Sequence, residues 1–173
     1  MHRLSVLRAL FRPLIALFLM LAMALPSAAL ADRALVIGIN AYDRDPGIPP
    51  LAGAVADARR MQEYLIADVS YAVEDVLLLI DGAATRAAIL SGIEDWLIAG
   101  TLPGERVLLF YAGHGSHVRG LVDGSERDQV LIPVDSAFDT NGELQNFIRD
   151  KELGALLDQL NDRQVTVIVD SCF

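Results

Sequence analysis

The sequence predicts a three-layer α/β/α sandwich built on a mostly parallel β-sheet. Two observations lead to this prediction. Several segments are apolar throughout, as strands buried on both faces are, and they alternate with segments whose apolar residues have a helical period. The alternation continues to the end of the 173-residue chain without an internal repeat or a low-complexity linker. Residues 32–173 are therefore expected to form one domain.

The predicted elements follow one another with short connections. Two of the helices show apolar residues at steps of three and four, and Thr85 is the expected N-cap of another. Prolines and glycines separate the segments. In chain order, the predicted elements are a strand at 33–40, a helix at 51–65, a strand at 75–80, a helix from 85 to about 99, a strand at 106–111, a short rim strand at 129–133, a loop at 135–142, a helix at 148–160 and a buried strand at 165–169.

Residues 1–31 have the three parts of a secretory signal peptide. Arginines without any acid lie within 1–13, an uninterrupted apolar run follows at 14–25, and Ala29 and Ala31 have the spacing that signal peptidase requires. The apolar run is short for a membrane span, which needs about 20 residues. We therefore expect cleavage after Ala31 and export to the periplasm or the medium. An uncleaved helix that anchors the protein in the membrane is the alternative.

Composition excludes several classes of function. The formal net charge of −9, without a basic run, argues against nucleic acid as the partner and is compatible with a cationic peptide substrate. The single cysteine excludes an internal disulfide. No glycine-rich phosphate loop or Walker lysine follows a predicted strand, which argues against a nucleotide-binding domain.

Two reactive side chains are expected at one edge of the sheet. The strand at 165–169 runs into Asp170-Ser-Cys172, and the strand at 106–111 runs into Ala112-Gly-His-Gly-Ser116. Open α/β sheets bind ligands at the carboxyl ends of their strands, so the sequence predicts a Cys172–His114 dyad. The imidazole would take the thiol proton, and the N–H groups of Gly115 and Cys172 would form an oxyanion hole. Taken singly, Cys172 could instead be a structural cysteine, and His114 could be a loop histidine.

These motifs resemble those of the caspase-like cysteine peptidases, specifically the metacaspase branch of the peptidase C14 family. The resemblance covers the chain after residue 31, and its motifs occur in the family's order. They are Ala34-Leu-Val-Ile-Gly-Ile-Asn40, Leu51-Ala-Gly-Ala-Val-Ala-Asp57, Tyr111-Ala-Gly-His-Gly-Ser116, Asp128-Gln-Val-Leu-Ile-Pro-Val-Asp135 and Asp170-Ser-Cys172.

The resemblance implies a caspase-like fold and an endopeptidase that acts through an acyl-enzyme and needs no cofactor for its chemistry. Cys172 would be the nucleophile and His114 the base. Asp57 and Asp170 would line the S1 pocket and select a P1 Arg or Lys through charge-assisted hydrogen bonds. Asp57 alone could instead be a solvated acid in the first turn of a helix.

The same resemblance implies that calcium activates the enzyme. Its candidate ligands are Asp123, Glu126 and Asp128, whose oxygens suit calcium; a solvated acidic loop is the alternative. The chain departs from the family at four positions: Ala54 replaces a frequent cysteine, Ala112 a frequent serine, Gln129 a glutamate and Phe173 a frequent histidine.

The resemblance also implies that the small-subunit (p10-like) part of the domain is missing from this chain. We therefore expect a truncated fragment whose last strand leaves a sheet edge and apolar surface uncovered. The missing C-terminal part and a polypeptide substrate are the expected partners. The alternative function is a non-catalytic binding or regulatory module with a caspase fold.

Overall fold

The computed structural model describes residues 32–120 and 127–173, which form a central parallel sheet, two small antiparallel sheets and three helices. In chain order, the elements are β1 (Arg33–Gly38), α1 (Ala54–Ala67), β2 (Val76–Ile80), α2 (Arg86–Ser91, continued by a π-helical segment, Gly92–Ile98), β3 (Arg106–Ala112), β4 (Gly115–Arg119), β5 (Arg127–Leu131), β6 (Ala137–Phe138), β7 (Leu144–Gln145), β8 (Ile148–Arg149), α3 (Asp150–Leu157) and β9 (Gln164–Asp170).

The central sheet has four parallel strands in the order β2-β1-β3-β9. Helix α1 packs on one face of this sheet, while α2 and α3 pack on the other. The crossovers from β1 to β2 and from β2 to β3 run in opposite directions along the sheet. Helices on opposite faces are what right-handed crossovers then require. The predicted three-layer sandwich is confirmed.

Each of the two central strands contributes side chains to both hydrophobic cores. In β1, Val36 faces the core under α1, whereas Leu35 and Ile37 face the core under α2. Successive side chains of a strand point to opposite faces, so a strand covered on both sides must be apolar at every position. Each buried aliphatic side chain stabilises the fold by about 1.5–3 kcal/mol. The continuous apolar runs in the sequence are thus explained.

The last strand, β9, is not covered on both faces as β1 and β3 are. The prediction of a buried strand at 165–169 is therefore wrong. Every residue of β9 is exposed, and Val167 retains 41% of its accessible surface. The reason is its position: β9 lies at the sheet edge and pairs only with β3 among the described strands. The expected uncovered sheet edge and apolar surface are therefore present.

The segment between β3 and α3 agrees with the sequence prediction at one place and differs from it at two. The predicted rim strand is confirmed as β5, which pairs with β4 and β8. The helix predicted from residue 148 begins at Asp150, because Ile148 and Arg149 pair with β5 instead. The loop predicted at 135–142 contains β6, which pairs with β7 in a two-stranded hairpin.

The predicted signal peptide lies outside the described residues. Among the helices of the described part, none combines the length and apolar character needed to cross a membrane.

Helix α1 reaches the end of β1 through a close approach at Gly38. A Cβ atom at Gly38 would lie 2.6 Å from both the Ala54 carbonyl oxygen and the Ala58 Cβ atom. The helix can therefore sit over the carboxyl end of β1 only if position 38 lacks a side chain.

Replacing Gly38 with alanine should push α1 away from β1 and lower the free energy of unfolding by about 1–3 kcal/mol, as overpacking does. Gly82→Ala is the matched control, because no atom lies within 4 Å of the added methyl group. Urea unfolding of both variants measures the difference. Equal stability of Gly38→Ala and Gly82→Ala would refute the close approach.

Candidate active site

The register between β3 and β9 brings the histidine and cysteine segments to one end of the sheet. Ala112 pairs with Asp170, so His114 and Cys172 each follow two residues after a pair of aligned strand ends. The Gly113 N–H extends this alignment by donating to the Asp170 carbonyl at 3.3 Å. The sequence prediction that the two segments meet at the carboxyl ends of neighbouring strands is therefore correct in its topology.

The peptide groups of His114 are held by two tyrosines that lie beneath it. The His114 N–H donates to the Tyr42 hydroxyl at 2.9 Å, and the Tyr111 hydroxyl donates to the His114 carbonyl at 2.8 Å. Burial raises the pKa of both tyrosines, that of Tyr111 most strongly, so their hydroxyl groups stay protonated and can donate. A Cβ atom at Gly113 would lie 2.8 Å from the Tyr111 hydroxyl, which explains the glycine before the histidine.

The imidazole ring of His114 is oriented by the loop that follows β1. Its Nε2 atom lies 2.7 Å from the Pro49 carbonyl oxygen, and the Tyr42 ring lies against it with the ring centroids 4.9 Å apart. A carbonyl only accepts hydrogen bonds, so Nε2 must carry the proton in this contact. In the neutral ring Nδ1 is then the basic nitrogen. In this arrangement Nδ1 is the ring nitrogen of His114 that can accept a proton.

Gly115 is the point at which the histidine segment touches the cysteine segment. A Cβ atom at Gly115 would lie 2.6 Å from the Cys172 carbonyl oxygen and 2.8 Å from the Phe173 ring. Cys172 itself is exposed. The second glycine of the Gly-His-Gly sequence is thus required by the approach of another backbone.

The direction of the Gly115 N–H follows from the pairing of β4 with β5. The Ile132 N–H donates to the His114 carbonyl at 3.0 Å, which makes Gly115 and Leu131 a non-hydrogen-bonded pair of the antiparallel ladder. In such a pair the N–H groups point away from the partner strand. The Gly115 N–H is therefore directed away from β5.

The two acids expected in the S1 pocket lie on different elements. Asp170 is the last residue of β9 and is exposed beside the dyad segments. Asp57 lies in the first turn of α1, where its carboxylate pairs with Arg60 at 3.0 Å and keeps 40% of its side-chain accessibility. Helix α1 packs over β1 and β3, whereas Asp170 ends the neighbouring strand β9.

The acids considered for calcium divide into two groups. Asp123 and Glu126 lie outside the described residues. Asp128 is 2% exposed, and its two carboxylate oxygens each lie 2.6 Å from a cation, Arg149 and Lys151. Within the described ranges, no three His, Cys, Asp or Glu side chains come close enough together to hold a metal ion. Asp128 therefore has positive charges as partners in this structure.

Sequence reasoning missed the residues that hold His114 in place. Tyr42 and Pro49 lie between the strand predicted at 33–40 and the helix predicted at 51–65, and Tyr111 has the appearance of one more apolar strand residue. Every residue has a main-chain carbonyl, so residue type does not indicate which one accepts a hydrogen bond. The contact of Pro49 with His114 therefore could not be predicted from the sequence. A tyrosine at the end of a buried strand needs a partner for its hydroxyl, which is the only available signal.

Comparison with known proteins gives consistent results. The family described as "Metacaspase, peptidase C14 domain" matches residues 32–173. Metacaspase-1A of Neurospora crassa is 33% identical over 158 residues, and Metacaspase-1 of Eremothecium gossypii is 31% identical over 150 residues; each match covers 81% of this chain. Both alignments cover 31% of the relative, so the chain spans about a third of their length.

A solved crystal structure of a Geobacter sulfurreducens protein has a similar fold. The TM-score is 0.65 at 28% sequence identity, over 82% of this chain and 50% of that one. The family match over residues 32–173 includes both β3 and β9 and the two candidate dyad segments that follow them. Over residues 32–173, this chain belongs to the metacaspase family of peptidase C14 domains.

Proposed function

We propose that this chain carries the catalytic dyad of a cysteine endopeptidase, with Cys172 as nucleophile and His114 as base. The observation that supports the proposal most strongly is the register of β3 with β9. It brings the two segments to one sheet edge, with Gly115 against the Cys172 carbonyl. Family membership adds a second, independent argument.

The proposed chemistry follows from the groups at this edge. The Nδ1 atom of His114 takes the thiol proton, and the thiolate of Cys172 attacks the carbonyl carbon of the scissile peptide. The N–H groups of Gly115 and Cys172 donate to the oxyanion that forms. The imidazolium then gives its proton to the leaving amine, and water hydrolyses the thioester to release the acid and restore the thiol.

The intact enzyme would need the p10-like part of the domain as well. The exposed side chains of β9 and the open sheet edge support this, as does the coverage of only half of the Geobacter sulfurreducens chain. Added strands that pair with β9 would bury its valines and complete the substrate cleft. We also propose that residues 1–31 are a signal peptide and that the catalytic domain begins at residue 32.

Cys172→Ala should abolish peptidase activity of the full-length protein, and His114→Ala should lower kcat by at least about 100-fold, as loss of a general base does. His117→Ala is the matched control, because this histidine is exposed on β4 and should leave the rate unchanged. Labelling of Cys172 by an electrophilic peptide with a P1 arginine provides a second readout. Absence of both labelling and turnover would favour the non-catalytic binding module.

The proposed substrate has Arg or Lys at P1, held by Asp57 and Asp170. The exposure of Asp170 beside Cys172 supports its role most directly. Asp57 would have to exchange its Arg60 partner for the substrate cation. Two carboxylates at the cleft would form charge-assisted hydrogen bonds with a guanidinium group.

Asp170→Asn should lower kcat/KM for an arginine substrate by about 10- to 100-fold, since a hydrogen bond to a charged group contributes about 1.5–3 kcal/mol. The same variant should change cleavage of the neutral citrulline analogue much less. Asp68→Asn, at the exposed end of α1, controls for net charge. An unchanged preference for arginine over citrulline in Asp170→Asn would refute the assignment.

Calcium is proposed as an activator bound mainly by Asp123 and Glu126. Their oxygen ligands suit this ion, whereas Asp128 already neutralises two cations. Asp123→Asn should therefore weaken activation by calcium. Asp128→Asn should instead lower the free energy of unfolding by about 3 kcal/mol, because it removes the partner of two partly buried cations. Titration of activity with calcium measures the first effect, and urea unfolding measures the second. If calcium activation is lost in Asp128→Asn and kept in Asp123→Asn, the proposed calcium ligands are wrong.

Export is the proposed route for this protein, with cleavage after Ala31. The signal-like composition of residues 1–31 supports it. The position of Asp32 is compatible with a processed chain, because its carboxylate pairs with Arg106 at the start of β3. Membrane anchoring by an uncleaved N-terminal helix is the alternative.

A further inference from the structure

The loop that orients His114 is closed at its neck by a single residue, Asn40. The Asn40 carbonyl accepts from the Leu51 N–H at 2.9 Å, so residues 40–51 form a closed loop, here called the Pro49 loop. The Asn40 side chain also accepts from the Val55 N–H at 3.2 Å, in the first turn of α1. The position of Asn40 therefore fixes both the start of the loop and its end.

Asp81 holds this neck from the neighbouring strand. One carboxylate oxygen, Oδ1, accepts from the Asn40 N–H at 2.7 Å and from the Ala41 N–H at 3.0 Å. Gly38 and Ile80 are the last paired residues of β1 and β2. The Asp81 carboxylate therefore accepts hydrogen bonds from the chain just beyond the point where the pairing of the two strands ends. Asp81 has a φ of 44°, a left-handed conformation that aspartate tolerates better than most residues.

Asp45 holds the same loop at its tip. Its Oδ2 atom accepts from the Phe138 N–H of β6 at 2.6 Å, and its Oδ1 atom accepts from the Gly47 N–H at 2.8 Å. A Cβ atom at Gly47 would lie 3.2 Å from the Phe138 ring, so the loop rests against the β6–β7 hairpin. These main-chain hydrogen bonds also hold the pKa of Asp45 below its usual range, which keeps the acceptor ionised.

The Pro49 carbonyl lies between these two tethers. Among the described residues it is the hydrogen-bond partner of the His114 ring, at 2.7 Å. The buried side chains of Tyr42 and Ile48 anchor the loop to the core, and the Tyr42 hydroxyl also accepts from the His114 N–H. The hydrogen bonds at the neck and at the tip constrain the backbone before and after Pro49.

We propose that Asp81 and Asp45 are positioning residues that aim the Pro49 carbonyl at His114 Nε2 and so keep Nδ1 as the basic nitrogen. The inference rests on the proposed peptidase function for its effect on rate, but not for its effect on the ring. Both carboxylates act through the Pro49 loop, and neither touches the substrate. Their loss frees the carbonyl, and the neutral ring can then adopt either tautomer.

The most direct test compares Asp81→Gly with Asp81→Asn in the intact protein. Glycine accepts the positive φ but removes the carboxylate, whereas asparagine tolerates the same backbone and keeps one acceptor oxygen. Asp43→Ala is the charge control, because Asp43 is an exposed acid of the same loop without a hydrogen-bonding partner among the described residues. All three variants are first compared by thermal unfolding.

For the ring, nitrogen-15 NMR spectra should show the Nε2-protonated tautomer of His114 in the wild type, in Asp81→Asn and in Asp43→Ala. Asp81→Gly should give a mixture with the Nδ1-protonated form. His114→Gln assigns the signals. If Asp81→Gly does not fold, Asp45→Ala at the exposed tip should cause the same change. A wild-type tautomer retained in the folded variant, or lost equally in Asp43→Ala, overturns the inference.

For the rate, Asp81→Gly should lower kcat by about 10- to 100-fold, the usual effect of a misplaced catalytic group, with KM changed less than about twofold. Asp81→Asn should recover most of the lost rate. A rise in KM that accompanies the fall in kcat, without recovery by asparagine, would indicate a merely structural role and overturn the inference. A wild-type protein that is inactive but shows the expected tautomers would refute the proposed peptidase function and leave the positioning role standing.

Discussion

The pairing of β3 with β9 is the constraint on which the candidate site depends. His114 and Cys172 are 58 residues apart in the sequence, and only the alignment of Ala112 with Asp170 makes them neighbours. Adjacent parallel strands have their carboxyl ends at the same end of the sheet, where open α/β sheets bind their ligands. A shift of the register by one residue would turn every side chain of β9 to the opposite face.

Backbone groups do most of the positioning around this edge. Two buried tyrosines hold the peptide of His114, a proline carbonyl meets its ring, and glycines at 113 and 115 allow these close contacts. Buried tyrosine hydroxyls must find hydrogen-bond partners, and here the partners are the main-chain groups of His114 and the Ile132 carbonyl. The geometry of the base is therefore set by the core and not by an exposed loop alone.

Much of the fold could be predicted from residue patterns because β1 and β3 are covered on both faces and must be apolar throughout. The same pattern misled for β9, whose valines and isoleucine are exposed in this chain. Apolar composition indicates that a strand is suited to burial, but it does not show whether other elements pack against that strand. Helix α3 was predicted two residues early because Ile148, which is buried, fits an amphipathic helix as well as a strand pair.

The site was predictable only where residue type carries the chemistry. Cys172, His114 and Gly115 stand out because a thiol, an imidazole and a glycine have few substitutes in these roles. Pro49 acts through its carbonyl, which every residue has, and Asp81 acts on main-chain N–H groups from another strand. Neither contact depends on a spacing within the sequence, so both required the three-dimensional structure.

The most direct test of the central claim is a crystal structure of the full-length protein treated with a peptide aldehyde that carries a P1 arginine. We expect a covalent bond between Cys172 Sγ and the aldehyde carbon, with the resulting oxygen about 3 Å from the Gly115 N–H and the His114 ring on the same side of the sheet. A thiol that stays unmodified, with the imidazole at a different edge of the sheet, would contradict it.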